Sequence, residues 1–236
     1  VQYMNKLYTN TALVFGGSGD VGIDIAKDLL KKNYKLVITY KNQKPSKLKN
    51  IFKNYNKKNI FLKYCDLSNE KSIRKVILFS KKKIGDPGLV INTAGIFYYD
   101  NLSNFSYRKI IETFKINCFS IIAINKELNS IKKNKKLVKI VSLGSSSALD
   151  GFADTFSYCG SKHALLGIIK SLNKTKKNKN ILNYCVNVGS IKNSMGKKVR
   201  SREYKKFIDQ KSVVQIINYI QSTNLPAFPE EIFLKR

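Results

Sequence analysis

Short, nearly uninterrupted apolar runs recur along the chain, separated by longer stretches whose apolar positions fall three and four apart. Thr11-Ala12-Leu13-Val14-Phe15 is the first such run, and Ile23 to Lys32 is the first of the longer, one-faced stretches. The runs have strand length, and the stretches between them have the period of a helix lying on a surface. The pattern predicts strands at 11–15, 35–40, 60–64, 88–92, 137–142 and 182–188, with a short last strand near 231–234 and helices filling the gaps. One helix, from about residue 106 to 132, carries Asn117, and another, from about 156 to 174, carries Tyr158 and Lys162. Strand and helix in alternation imply a parallel sheet covered on both faces. The expected fold is α/β, a doubly wound sheet of about seven strands flanked by helices, in a single domain over residues 1–236. No repeat or linker interrupts it.

Composition narrows the class. At 236 residues and 43% hydrophobic content, the chain can bury a substantial core without disulfides. Its four cysteines, Cys65, Cys118, Cys159 and Cys185, are isolated and read as reduced cytoplasmic thiols. Cys159 adjoins Tyr158, but nothing nearby supplies it with a base, so packing is its expected role. No metal-ligand cluster is visible. No apolar run reaches membrane-spanning length, and the N-terminus lacks a signal-peptide core, which together point to a soluble protein with no membrane partner. Met4 follows Val1 closely, leaving residues 1–3 unassigned.

The net charge of +29 raises the question of nucleic acid. Of the 44 basic residues only five are arginine, the planar side chain that base and phosphate readers favour. The lysines form scattered runs such as Lys81-Lys82-Lys83 and Lys132-Lys133-Asn134-Lys135-Lys136. With many Asn and Ile and no Trp, this composition suggests an AT-rich coding sequence and no specific nucleic-acid partner. A positive surface still attracts acidic partners in a salt-dependent way.

Two motifs carry chemistry. After the first strand comes Gly16-Gly17-Ser18-Gly19-Asp20-Val21-Gly22, then a helix. Glycines there let backbone approach a pyrophosphate, and the helix N-terminus attracts its charge. The run fits both Gly17-x-Gly19-x-x-Gly22 and Gly16-x-x-Gly19-x-x-Gly22. The second motif is Tyr158 with Lys162, four residues apart and so on one helix face, where the ammonium favours the ionised phenol. Ser145 precedes Tyr158 by thirteen residues, and Ser146 and Ser147 compete with it. His163 points about 100° away from the Tyr158–Lys162 face and is expected to be structural.

These motifs, in this order and over nearly the whole length, resemble the short-chain dehydrogenase/reductase family, which implies a Rossmann-type fold. Cys65-Asp66-Leu67-Ser68 is similar to the family's adenine-contacting Asp after the third strand, and Asn92-Thr93-Ala94-Gly95 to its Asn-Asn-Ala-Gly, with Thr93 for one Asn. The resemblance implies a catalytic set of Asn117, Ser145, Tyr158 and Lys162, with Asn117 anchoring a water that links the lysine to solvent. It implies cofactor contacts at Gly16, Ser18, Gly19, Val21, Gly22, Lys41, Asp66, Leu67, Asn92, Ala94, Gly95, Tyr158, Lys162, Gly189 and Ile191. Departures are Phe15 for Thr, Asp20 where one subgroup has Gly, and Val188-Gly189 for Pro-Gly. Asp20 brings negative charge to the phosphate turn, although a carboxylate also suits a helix N-terminus.

The end of the second strand, Thr39-Tyr40-Lys41, has no carboxylate where a site built for NAD(H) usually carries one. Lys41 can pair with a 2′-phosphate instead, so NADP(H) is expected in preference to NAD(H); the competing reading makes Lys41 one more solvated lysine. The expected activity is NADP(H)-dependent interconversion of a carbonyl and a secondary alcohol. A 3-oxoacyl thioester on a carrier protein leads as substrate, with a sugar or small ketone as the alternative within enzymes and a non-catalytic dinucleotide-binding sensor as the alternative outside them. The ending Pro229 to Arg236 lacks the Gly-Gly common in family members that reduce fatty-acyl chains. Residues 190–211 read as a mobile substrate-covering segment. The family's pairing of the helices carrying Asn117 and Tyr158 implies a homodimer or homotetramer.

Overall fold

The computed structural model describes residues 10–131, 137–176, 180–199, 201–223 and 228–235. The lysine run at 132–136 lies outside them. Seven strands form one parallel sheet: β1 (Thr11–Phe15), β2 (Lys35–Tyr40), β3 (Ile60–Tyr64), β4 (Leu89–Asn92), β5 (Val138–Leu143), β6 (Ile181–Val188) and β7 (Glu231–Leu234). Their spatial order is β3-β2-β1-β4-β5-β6-β7. The chain reverses its direction of winding between β1 and β4, which pair as Val14↔Ile91 and Phe15↔Asn92. Crossover loops part at such a point and leave a crevice beyond the carboxyl ends of the strands.

Helices cover both faces. On one side, α1 (Asp20–Lys31), α2 (Pro45–Ile51) and α8 (Gln210–Ser222) pack with Ala12 and Val14 of β1; on the other, α3 (Glu70–Ile84), α5 (Ser120–Ile131) and α6 (Phe156–Lys174) pack with Leu13 and Phe15. Successive β1 residues thus serve opposite cores, as a strand's alternation requires, and all are buried. Phe15, the departure from Thr, is fully enclosed in the second core.

The helix expected across 106–132 runs unbroken over the described residues 107–131 but is not α-helical throughout. Its described part comprises α4 (Tyr107–Phe114), a π-helical turn (Lys115–Phe119) and α5. A π-turn slips the helix register by one residue, a change too local for the apolar spacing of α4 and α5 to announce. The segment 190–211 also holds more regular structure than its polar composition suggests. It contains α7 (Ser194–Val199) and a 3₁₀ turn (Ser201–Lys206), closed at its base by an Ile191↔Ile208 bridge; residue 200 lies outside the described set. Lys139, the second residue of β5, is buried, and its ammonium donates to the carbonyls of Ile220, Gln221 and Thr223 at the end of α8. One lysine of this lysine-rich chain is therefore an interior helix cap.

Candidate active site

The glycine turn is packed so closely that side chains cannot enter. Gly16 has φ +69°, and a Cβ there would lie 2.6 Å from the Ala94 nitrogen; at Gly22 one would lie 2.5 Å from the Gly16 carbonyl oxygen. The turn is tied down by Gly16 N–H donating to the Thr39 hydroxyl (3.1 Å) and Gly19 N–H to the Gly16 carbonyl (3.0 Å). Thr93 bonds to the same turn, its hydroxyl lying 3.1 Å from the carbonyls of both Phe15 and Gly16. Gly19 is exposed at the N-cap of α1, and among the described residues no side chain caps that end. The arrangement fits a pyrophosphate: a helix N-terminus with open backbone donors beside a turn where bulk is excluded. Asp20 does not lie idle there. Its carboxylate accepts from Ser194 N–H (2.7 Å) and fastens α7 to the turn.

On the β2–β3 side of the glycine turn, parallel pairing of Tyr40 with Tyr64 brings Lys41 beside Asp66, with the ammonium 3.0 Å from the carboxylate. Lys41 is therefore not a merely solvated lysine. Burial pushes the Asp66 carboxyl up, but hydrogen bonds from Ser68 and Lys41 outweigh it and leave the group below its ordinary value. Gln43 donates from its amide to the Ser18 carbonyl (3.1 Å), joining this rim to the glycine turn. The Leu67 side chain is buried in the core.

At the other end, a cavity of about 390 Å³ opens between the carboxyl ends of β4, β5 and β6 and the 190–211 segment. Ser145, Tyr158 and Lys162 all line it, as do Val21, Ala94, Gly95, Gly189 and Ile191. Lys162 is 4% exposed and donates to the Leu143 carbonyl (2.9 Å) at the end of β5; its nitrogen lies 5.6 Å from the Tyr158 ring centre. Phe97 meets that ring edge-on at 5.0 Å. Ser145 caps the 3₁₀ turn Ser146–Ala148, with its oxygen accepting from Ser147 N–H (3.1 Å). Ser146 and Ser147 line the cavity too.

Asn117 sits on the π-turn and reaches the loop after β4. Its amide accepts from Ile96 N–H (2.9 Å) and donates to the Ile96 carbonyl (3.0 Å) and the Ser161 hydroxyl (3.0 Å). Ser161 in turn donates to the Tyr158 carbonyl (2.8 Å). Asn92 holds the same loop from the strand side, accepting from Ala94 N–H (3.3 Å). His163 is exposed, its Nδ1 3.0 Å from the Cys159 carbonyl within its own helix.

Two supports carry no local signal in the sequence. Asp100, buried, accepts from Ser157 N–H (3.1 Å) and so caps α6 one residue before Tyr158. Asn187 contacts Ser145 from the far side. All four cysteines are free and buried; burial pushes Cys65 and Cys185 to about 12 and Cys118 to about 11, so none of these three is a ready nucleophile. Among the described residues no trio of metal-ligating side chains comes together, and no helix is long and apolar enough to cross a membrane.

Residues 10–204 match the family model described as short chain dehydrogenase. The chain belongs to the short-chain dehydrogenase family. It is accordingly an oxidoreductase with a Rossmann-type sheet. The chain is 28% identical over 195 residues to the 3-oxoacyl-[acyl-carrier-protein] reductase FabG of Rickettsia typhi, covering 82% of this chain and 77% of that one. It is 30% identical over 205 residues to the reductase of the same name from Buchnera aphidicola subsp. Schizaphis graminum, covering 87% and 83%. Among solved structures it resembles ElxO with NADP bound, with a TM-score of 0.82 and 22% identity over 95% of each chain, a likeness of fold.

Proposed function

We propose that this short-chain dehydrogenase is an NADP(H)-dependent carbonyl reductase, working reversibly on a secondary alcohol. The observation that carries the reading is the convergence on one cavity of Tyr158, buried Lys162 and Ser145, beside the glycine turn. The same convergence argues against a non-catalytic sensor.

The turn at Gly16, Ser18, Gly19, Val21 and Gly22 would hold the pyrophosphate and Lys41 the 2′-phosphate. Asp66 and Leu67 would border the adenine. Asn92, Ala94, Gly95, Gly189 and Ile191 would border the nicotinamide half. Bound NADP(H) would supply the hydride exchanged with the substrate carbon. Tyr158 gives its proton to the substrate oxygen, or takes it back in the reverse direction. Lys162, its ammonium 5.6 Å from the phenol ring centre, would set positive charge beside the oxygen as its proton leaves, and would hold the ribose hydroxyls. Ser145 donates to the same oxygen and aligns it. The Asn117 amide, engaged by Ile96 and Ser161, ties the loop after β4 to the helix of Tyr158; as the family resemblance implies, Asn117 would also anchor a water linking Lys162 to solvent.

For cofactor choice, Lys41 and the missing carboxylate at Tyr40 favour NADP(H), in keeping with the NADP named for ElxO. For substrate, Phe97, Tyr99, Phe152, Met195, Val199 and Phe207 give the cavity an apolar wall. That wall suits an acyl chain better than a sugar, and the relatives are named for 3-oxoacyl-[acyl-carrier-protein]. The carrier is acidic in this reading and meets a basic surface. The 190–211 segment covers the substrate, held by Asp20 at Ser194 and by Tyr99 at the Val199 carbonyl (2.9 Å). Exposed Tyr107, Ile111, Phe119, Ile122 and Phe156 lie along the helices that carry Asn117 and Tyr158, and favour a homodimer or homotetramer built there. Free cysteines suit the cytoplasm.

Loss of NADPH absorbance in the presence of acetoacetyl-coenzyme A, simple ketones and keto-sugars tests the reading. Turnover is expected with the thioester. Absence of turnover with every carbonyl despite tight NADPH binding would overturn it.

A further inference from the structure

Asn187 is the penultimate residue of β6 and is wholly buried. A buried primary amide has to place two donors and one acceptor or lose their hydration uncompensated. Its oxygen accepts from Ser145 N–H (3.2 Å) and from the Cys185 thiol (3.3 Å), and its nitrogen donates to a Glu231 carboxylate oxygen (2.7 Å). The other Glu231 oxygen is 3.2 Å from the Lys170 ammonium on α6. Because a carboxylate only accepts, Glu231 fixes which way the amide faces: nitrogen toward β7, oxygen toward Ser145. The approach is so close that a Cβ at Gly144 would lie 1.8 Å from the amide oxygen. The residue before Ser145 is glycine because the amide occupies that space.

We propose that Asn187, oriented by Glu231, is the positioning residue for Ser145, so that the last strand of the sheet sets the aim of the hydroxyl at the substrate oxygen. The inference rests on the reading of Ser145 given above. The amide grips the peptide between Gly144 and Ser145, while Ser147 N–H binds the Ser145 oxygen from the other side. Two fixed contacts hold the backbone and the hydroxyl of one residue. The neutral amide also keeps the Glu231 charge one side chain away from an oxygen that gains negative charge during reduction.

Asn187→Asp retains shape and an oxygen toward Ser145 but sets a carboxylate against Glu231. Its kcat for acetoacetyl-coenzyme A should fall roughly ten- to a hundredfold, the scale of a misplaced reacting group, while NADPH affinity by fluorescence titration stays at the wild-type value. Glu231→Gln alone should change little, since its amide oxygen still accepts. The double variant restores the hydrogen bond with polarity reversed and should recover most of kcat. Glu231→Ala, at a half-buried position that tolerates truncation, should lower kcat without altering NADPH affinity. Ser145→Ala is measured beside them. Wild-type turnover in Ser145→Ala would overturn the Ser145 reading itself. Slow Ser145→Ala with wild-type kcat in both Asn187→Asp and Glu231→Ala would overturn the positioning role alone. So would a double variant that binds NADPH normally yet stays as slow as Asn187→Asp.

Discussion

At one end of the cleft Lys162 is 4% exposed and held by a strand carbonyl; at the other Lys41 sits on the rim with 37% of its side chain exposed, held by the Asp66 carboxylate. Both are lysines assigned to the same cofactor, yet their surroundings make them different devices. A buried ammonium has no water to fall back on, so its one position is strongly favoured and the groups around it are rigid. An exposed ion pair is worth about 1 kcal/mol or less and yields easily to a competing anion. On the proposed reading, the chemistry end is built for fixed geometry, and the Lys41 end would let the ammonium pass from Asp66 to an incoming phosphate.

The sharpest way to break this contrast is at the chemistry end. Tyr158→Phe keeps the ring and removes the proton, so turnover should fall by about 10²–10⁴ while NADPH affinity holds; near-normal turnover would refute the mechanism. Lys162→Ala should lower both turnover and cofactor affinity, and an unchanged NADPH dissociation constant would remove its ribose role. Ser145→Ala should cost more turnover than Ser147→Ala, with the reverse order reassigning the hydroxyl.

At the adenosine end the effects should be smaller and dependent on salt. Lys41→Ala should weaken NADPH binding by roughly tenfold at low ionic strength with little change for NADH, the gap narrowing as salt is added. Tyr40→Asp should shift the preference further toward NADH. Titration of wild-type protein that found NADH tighter than NADPH would sink the cofactor assignment.

Two stability measurements complete the comparison. Asp100→Ala removes the cap of α6 and should cost about 1 kcal/mol, read as a fall in Tm of roughly 2–4 °C. The smallest effect concerns Asp66. Its carboxyl lies below its ordinary value in the folded protein, so the stability it contributes is present above the unfolded carboxyl pKa and is lost as pH falls through the folded one. Partial exposure keeps that contribution under about 1 kcal/mol. Asp66→Asn should flatten this part of the acid unfolding profile, and an unchanged profile would mean that the ion pair contributes nothing.

Much of the fold was legible because its signals are local. The apolar runs marked every strand to within a residue or so, and α6 spans Phe156–Lys174 as its periodicity indicated. The i, i+4 placement of Tyr158 and Lys162 needed only helix geometry. Other features were hidden for definite reasons. The π-turn at Asn117 is a one-residue slip of register inside a single helical run, too local for periodicity to single out. Lys139 looks like any surface lysine until β5 is seen inside the sheet, between β4 and β6, with the end of α8 against it. Lys41 and Asp66 were each assigned to the cofactor, but only the pairing of β2 with β3 shows that they bind one another.

The sequence by itself determined which segments are strands and helices, where the backbone can approach a phosphate, and which side chains are candidates for proton chemistry. Period, glycine content and helical spacing act over a few residues and need no knowledge of the rest. The order of strands decided everything that depends on neighbours distant in the chain. By laying β6 between β5 and β7, it set Asn187 against Ser145 and Glu231 against Asn187. A hydrogen bond between such residues exists only where the packed sheet brings a donor to an acceptor, and no local pattern encodes that meeting.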